Sequence, residues 1–526
     1  MSFVELRSRT NASFLQGASQ AEEMVDTAQA LGYDALAITD INELGGSVRA
    51  HDRARKIGQP ILIGTELTPD SSVSVDQVPV VLIARNRQGY GRMCRLLTDA
   101  KRKRPRGEPG ITAAEVCAEP DGLIALLTAP CAEDVAHQYR RAFGDNAGVL
   151  VTCNLLPAEA QLNRARRSLA EATHLPLVAT GDSRYHDALR KPLYDVLTAV
   201  HHGAPLAECG YRLPANAEQH LRPPRALADR FVAAGMGAAV DQGHRLLARC
   251  DFSMNELRFI YPEKHLAAGE TPISFFRQAV MNGARERYGP TLPPGAMSQL
   301  GHELDMIERM KVEGFFLTMY DIVRFARSRA ILCQGRGSAA NSAVCYALGI
   351  TSVDPVGAGL LFERFLSEER GEPPDIDVDF EHERREEVIQ WVYSHYGREH
   401  SGLVCNNICY RPRSAVRDVG KALGLTLDQV DRLAKGLGRS REALLDDGRL
   451  LEAGIAPSSE VARQLRDLIP QVLGFPRHRG THVGGMVVTN EPLIETAPLE
   501  DAAMEGRTIL PWDKDDCDAL GMCKFD

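Results

Sequence analysis

The octet Pro373-Pro374-Asp375-Ile376-Asp377-Val378-Asp379-Phe380 alternates carboxylate and apolar side chains. An extended strand makes use of that alternation, because successive side chains on a strand point to opposite faces. Asp375, Asp377 and Asp379 then share one face, and Ile376, Val378 and Phe380 share the other. The apolar face can dock on a core. Carboxylates this close repel one another, and a cation relieves the repulsion. Aspartate oxygens suit Mg²⁺ or Mn²⁺, and aspartates two residues apart can hold two ions for phosphoryl transfer. A solvated acidic edge strand is the competing reading of the octet taken alone.

At 526 residues the chain has room for three or four domains, taking about 150 residues for each. Hydrophobic residues make up 44% and charged residues 25%, a globular composition with a large core. No apolar run reaches about 18 residues, so no membrane span is expected. The start, Met1-Ser2-Phe3-Val4-Glu5, lacks the basic and apolar regions of a signal peptide. Twelve cysteines are scattered without a CxxC pair, which reads as a reduced cytoplasmic protein without a zinc site. The net charge of −9 argues against a uniformly basic DNA-coating surface but leaves room for a local basic channel.

From Phe3 to about His202 the pattern alternates strand and helix, with strands expected at 3–7, 35–39, 61–65, 78–84, 123–127, 148–152 and 175–180. Ser19-Gln20-Ala21-Glu22 has capping-box spacing at a helix start. Such alternation predicts a parallel sheet or an α/β barrel. Asp40, Glu66 and Asp182 stand just past expected strand ends, where an α/β barrel builds its site. Turn and cap roles for Asp40 and Asp182 are the alternative. The basic run Lys101-Arg102-Lys103-Arg104-Pro105-Arg106 can touch a phosphate backbone or be a solvated loop.

Residues 203–272 read as a proline-rich connector with short helices, followed by a mostly helical region to Arg329. Then Gln334-Gly335-Arg336-Gly337-Ser338 forms a glycine-rich turn between a short strand and a helix. Glycines allow close backbone approach, and a helix N-terminus offers N–H groups to an anion. An ordinary tight turn explains the loop as well. Arg364 and Arg370 lie near the octet, and Arg411, Arg413 and Arg417 have the spacing of a phosphate-facing patch or of a paired surface helix. Arg477, His478 and His482 give a later loop basic character, and in the closing run Lys524 and Asp526 share a face.

Gln334 to Ser342, Phe362-Glu-Arg-Phe365, Pro374 to Asp379, and Trp512-Asp-Lys-Asp515 through Lys524-Phe-Asp526 resemble the α-subunit family of bacterial DNA polymerase III. Asn11 to Ser19 and Ser338 to Tyr346 resemble its error-prone, damage-tolerant branch. The resemblance implies an α/β fold: a PHP-type α/β barrel over 1–210, a connector over 211–270, a polymerase-β-like nucleotidyltransferase palm over 271–430 and 481–526, and an inserted helical thumb over 431–480. It implies that Asp377, Asp379 and Asp526 hold two Mg²⁺ ions, with Asp375 a non-ligand. It further implies that Gly337, Ser338 and Lys524, with Arg364 and Arg370, face the dNTP triphosphate. Arg411, Arg413, Arg417, Arg477, His478 and His482 are then candidates for contact with primer–template DNA. A sliding clamp and the accessory proteins of damage-induced mutagenesis follow as partners from the same resemblance.

Two departures qualify the expectation. Metal-binding PHP barrels use histidines where this chain has Arg7 and Arg9 (either side of Ser8), Ile41, Pro79 and Arg184. None of these side chains offers a metal a lone pair, so no metal cluster is expected in the barrel. The family also continues past the third aspartate into fingers, so the chain alone is expected to polymerise poorly and to be a fragment. A non-catalytic binder of DNA and partners, or a PHP-type phosphoesterase, is the rival function.

Overall fold

The computed structural model describes residues 2–526 except 71–76, 106, 263–268, 363–365, 367–375 and 438–444. Two compact units emerge, Met1–Leu257 with Asn406–Gly480 and Glu495–Leu499, and Arg258–Cys405 with Thr481–Ile494 and Glu500–Asp526. Residues 406–430, expected with the palm, pack in the first unit.

The first unit is built on β1 (Val4–Glu5), β2 (Ala35–Ile38), β3 (Ile61–Leu67), β4 (Val80–Ala84), β5 (Leu123–Leu127), β6 (Ala147–Val151) and β7 (Leu177–Ala179), hydrogen-bonded in that order. Every residue of β4, β5 and β6 is buried, as strands covered on both faces require. The sheet is mixed, not wholly parallel, because β4 runs antiparallel to both β3 and β5. A parallel bridge between Ser8 and Ser183 brings the two edges together, so the expected α/β barrel is nearly closed. Within the expected connector, Pro224–Ala233 and Gly237–Leu247 are helices, and the second packs on β7 and β1. The capping box of the first helix, Ala21–Leu31, joins Gln20 and Glu23, one residue later than expected. Ser19 instead bonds the backbone N–H of His186 at 2.8 Å.

Ion pairs fill the barrel positions where arginine replaces histidine. Glu66 lies within β3, not beyond it, and accepts from Arg7 Nε and Nη2 at 2.9 Å each. It also accepts from Arg9 Nη2 at 3.0 Å on both oxygens. Asp182 lies 3.2 Å from both Arg7 and Arg184. Burial alone would raise both carboxyls, but these guanidinium groups hold them below the usual carboxylate range. Asp40 takes hydrogen bonds from the Thr10 N–H at 2.7 Å, Thr10 Oγ1 at 2.8 Å and Ser13 Oγ at 2.6 Å, while burial raises its pKa.

Glu5 behaves differently. Burial pushes its carboxyl up from 4.5 to about 7, against hydrogen bonds from Thr180 and the N–H groups of Arg7 and Gly181. The folded chain then holds a proton that the unfolded chain has released. Its contribution to stability is full below about 4.5 and is lost as the pH climbs toward 7. Glu5→Gln is therefore expected to gain on the wild type across that interval, by up to about 3 kcal/mol. Urea unfolding from about pH 4 to about pH 8 measures the gap, and a gap independent of pH contradicts the expectation.

The basic run is largely paired within its own unit. Lys101 meets Glu43 at 2.6 Å, Lys103 meets Asp99 at 2.9 Å, and Arg104 contacts Asp70; Arg106 lies outside the described residues. Helices Pro412–Ala422, Leu427–Gly436, Asp447–Glu452 and Glu460–Val472 join the barrel helix Lys191–His202 in one apolar core.

The second unit opens with helices Pro272–Tyr288, Pro294–Met310 and Glu313–Ser328. Its strands are β8 (Cys333–Arg336), β9 (Asp377–Phe380), β10 (Ser401–Cys409) as far as Cys405, β11 (Pro476–Val488) from Thr481 onward, β12 (Glu500–Asp501) and β13 (Thr508–Ile509). β8 and β9 pair antiparallel, and the neighbours β11-β10-β13-β12 form a second sheet. The last residues link the two: the Val378 N–H donates to the Asp526 carbonyl at 3.0 Å, and Phe525 and Met486 exchange backbone hydrogen bonds at 2.8 Å. Phe525 stacks on Phe315 at 5.0 Å, which anchors this stretch in the core formed with the helix Glu313–Ser328.

Candidate active site

The alternation in the octet becomes β9 from Asp377 onward, with Ile376 and Val378 buried below. Asp375, Arg364 and Arg370 lie outside the described residues. Asp377, Asp379 and Asp526 line one cleft together with Arg336, Arg385 and His482. Apolar side chains, among them Val378, Ile389 and Phe525, form its floor. The backbone bond from Val378 to Asp526 explains why residues so far apart in sequence meet.

Register places Arg336 on β8 opposite Asp377 on β9. Its guanidinium lies 3.1 Å from Asp379 and 3.5 Å from Asp377. The positive charge relieves the repulsion that the alternation creates. Arg336 and Asp379 are 60% and 68% exposed, so this pair is weak and easily displaced. On the other side, Lys524 Nζ contacts Asp526 Oδ2, and Asp526 Oδ1 is buried without a hydrogen-bond partner.

Gly485 lets these groups meet. A Cβ there would lie 2.4 Å from Asp526 Oδ1, 2.8 Å from His482 Nδ1 and 2.9 Å from Lys524 Cδ. The Gly485 N–H instead donates to His482 Nδ1 at 2.7 Å. Burial lowers the His482 pKa, and the Asp526 charge offsets this only in part.

Among the described residues no three Asp, Glu, His or Cys side chains close around one point as they stand. The donor set nevertheless fits divalent ions. Three aspartates share a cleft, one carries an orphaned buried oxygen, and two are held by a displaceable arginine. All-oxygen ligation of this kind suits Mg²⁺.

The glycine-rich loop is a short 3₁₀ turn, Gly337–Asn341, followed by the helix Ala343–Ala347. Gly337 has φ 65°, the left-handed conformation that glycine adopts without strain. The N-terminus of the helix is already occupied by a carboxylate of this chain. Glu303 accepts from Ser342 Oγ at 2.7 Å, from the Ala343 N–H at 2.8 Å and from the Val344 N–H at 3.0 Å. The turn residues Gly337 and Ser338 stand next to Arg336. Sequence reasoning missed Glu303, a single acid within a helix. Glu303→Ala should strip a partner from four donors, these three and Gln299 Nε2 at 3.0 Å, and destabilise the second unit by about 2–4 kcal/mol. Both tryptophans, Trp391 and Trp512, lie in that unit, so Trp fluorescence during urea unfolding reads the shift directly. An unchanged midpoint contradicts the assignment.

The six candidates for DNA contact divide. Arg411, Arg413, Arg417, Arg477 and His478 are exposed and belong to the first unit. Arg413 donates to the Leu437 carbonyl at 3.0 Å, Arg417 pairs with Asp431 at 2.7 Å, and Arg477 pairs with Asp418 at 2.8 Å. His482 lies in the acidic cleft of the second unit.

Residues 274–526 match the family described as bacterial DNA polymerase III alpha NTPase domain, and residues 5–171 match the PHP domain. The chain is 44% identical to a protein named error-prone DNA polymerase from Bordetella parapertussis, covering 100% of this chain and 51% of that one. A protein of the same name from Methylococcus capsulatus is 45% identical, with 100% and 50% covered. One from Aromatoleum aromaticum is 44% identical, with 100% and 49% covered. The chain spans about half the length of the curated relatives it matches.

Proposed function

From the premise that this chain belongs to the family of bacterial DNA polymerase III α-subunits, alongside proteins named error-prone DNA polymerase, we propose that it carries the palm of a DNA-directed DNA polymerase. The observation that carries this reading is the meeting of Asp377, Asp379 and Asp526 in one cleft, with a basic residue beside each end of the set. The reaction would be attack of a primer 3′-hydroxyl on the α-phosphorus of a dNTP, with pyrophosphate leaving. Two Mg²⁺ ions, when bound, would lower the pKa of the hydroxyl and neutralise the leaving group.

The chain's own residues do the rest. The three aspartates would hold the ions. Arg336 is released from Asp377 and Asp379 as its role in charge neutralisation ends, which frees it to meet phosphate. Lys524 holds the Asp526 carboxylate in place through Oδ2. Gly337 and Ser338 offer the turn beside the triphosphate, and Arg364 and Arg370 remain candidates for the same contact. Arg411, Arg413, Arg417, Arg477 and His478 offer phosphate contacts to primer–template DNA, with Arg417 and Arg477 exchanging a weak surface pair for a DNA phosphate.

The finer assignments rest on the same reading. They are synthesis across damaged template in the cytoplasm, a sliding clamp and mutagenesis accessory proteins as partners, and domain limits of 1–210, 211–270, 271–430, 431–480 and 481–526. In the barrel, Arg7, Arg9 and Arg184 take the place of a metal cluster, and metal analysis finding stoichiometric zinc or manganese in residues 1–210 would overturn that. The function is tested by Mg²⁺-dependent addition of a single dNTP to a primer, by the chain and by the complete product of its gene. Addition that requires Asp377 is expected. DNA binding with no addition in either form would favour a non-catalytic binder.

A further inference from the structure

His482 stands apart from the other basic groups of the cleft. Arg336 and Lys524 are each paired with a catalytic-site carboxylate, and Arg385 is a further cation on the same lining. The His482 ring lines the same cleft, with its side chain 23% exposed. Its Nδ1 accepts the Gly485 N–H at 2.7 Å and the Gly484 N–H at 3.4 Å. An imidazole nitrogen that accepts hydrogen bonds carries no proton, so the ring is the neutral tautomer protonated on Nε2. Asp526 Oδ1 lies 3.6 Å from Nδ1, and no proton lies between them to bond. Nε2–H has no acceptor among the described residues. The backbone of Gly484–Gly485 thus fixes both the tautomer and the ring plane, and leaves an oriented N–H donor in a cleft that also holds Asp377, Asp379, Asp526 and the guanidinium groups of Arg336 and Arg385.

We propose that His482 contacts the substrate, its Nε2–H donating to a phosphate oxygen of the incoming nucleoside triphosphate, and does not contact DNA. The inference rests on the phosphoryl-transfer reading of the cleft. A neutral donor suits this position, since it binds a phosphate oxygen without adding a cation that would compete with metal for the aspartates. It needs no rearrangement when the nucleotide arrives, because its other nitrogen is already engaged.

Two substitutions separate this role from a structural one. Asn at 482 keeps an acceptor near the Nδ1 position, which can hold the Gly485 N–H, and loses the distal donor. Gln keeps a donor that reaches the Nε2 position and loses the near acceptor. Calorimetric titration of the whole chain with α,β-methylene-dATP and Mg²⁺ reads nucleotide affinity, and fluorescence anisotropy with a primer–template reads DNA affinity. His482→Asn should weaken nucleotide binding about tenfold, the loss of roughly one hydrogen bond. His482→Gln should stay within about threefold of the wild type, and DNA affinity should not change in either. Three results would overturn the inference: nucleotide affinity unchanged in the Asn variant, the Gln variant binding more weakly than the Asn variant, or a loss confined to DNA affinity. Asp377→Asn separates the two readings. If it abolishes nucleotide binding while both His482 variants bind normally, the cleft is the nucleotide site and this inference fails. If the wild type itself binds no analogue, both readings fail.

Discussion

Asp526→Asn is expected to lower Mg²⁺-dependent nucleotide addition by at least about a thousandfold, roughly 4 kcal/mol in the transition state, while the protein stays folded. The amide keeps the size of the side chain and loses the charge that an ion needs. Asp526 contributes the one carboxylate oxygen of the three aspartates that is buried without a hydrogen-bond partner, so its loss is felt more in ligation than in folding. Asp377→Asn and Asp379→Asn should act alike. Asp379 is 68% exposed and bonded only to Arg336 among the described residues, so its replacement should move the unfolding midpoint least. Single-turnover primer extension, paired with Trp fluorescence during unfolding, checks both halves. Activity within tenfold of the wild type in any of the three would remove that residue from the site.

The second large effect is on stability. Glu66→Ala is expected to cost about 3–5 kcal/mol, the range seen when one partner of a buried ion pair is removed. Glu66 is 3% exposed and holds two guanidinium groups. Without it Arg7 retains only Asp182, and Arg9 retains no ion pair among the described residues. Arg9 would then be a buried charge without its partner, and Arg7 would share Asp182 with Arg184. Asp52→Ala is the contrast, because Lys56 opposite it is 60% exposed and the pair should be worth less than about 1 kcal/mol. Far-UV circular dichroism during urea unfolding compares the two. Equal effects would mean that the barrel network is no more than surface decoration.

Much of this was legible in the sequence where a side-chain period met a buried surface. Val80 to Ala84 and Leu123 to Leu127 read as strands because five apolar residues in a row need cover on both faces. Asp377 and Asp379 read as one face of a strand for the same geometric reason. The mixed direction of the sheet was not legible, since nothing within Val80–Ala84 encodes which way it runs beside its neighbours. Glu303 was hidden because the Ser342, Ala343 and Val344 donors it binds lie about forty residues onward, beyond any local pattern. The basic run at 101–104 was open in the sequence between a phosphate contact and a solvated loop; the fold brings Glu43 and Asp70 to it, and Asp99 pairs with Lys103 from one turn back. His482 looked like its neighbours Arg477 and His478, and only the bridge between Met486 on the same strand and Phe525 sets it among the aspartates.

The central claim is that Asp377, Asp379 and Asp526 together hold divalent ions. Counting bound Mn²⁺ by the loss of the free-ion electron paramagnetic resonance signal tests it most directly, since it requires no substrate and no turnover. The wild-type chain should bind two ions that are lost when Asp377 and Asp526 are both changed to Asn. An identical count in the wild type and the double variant would contradict the claim.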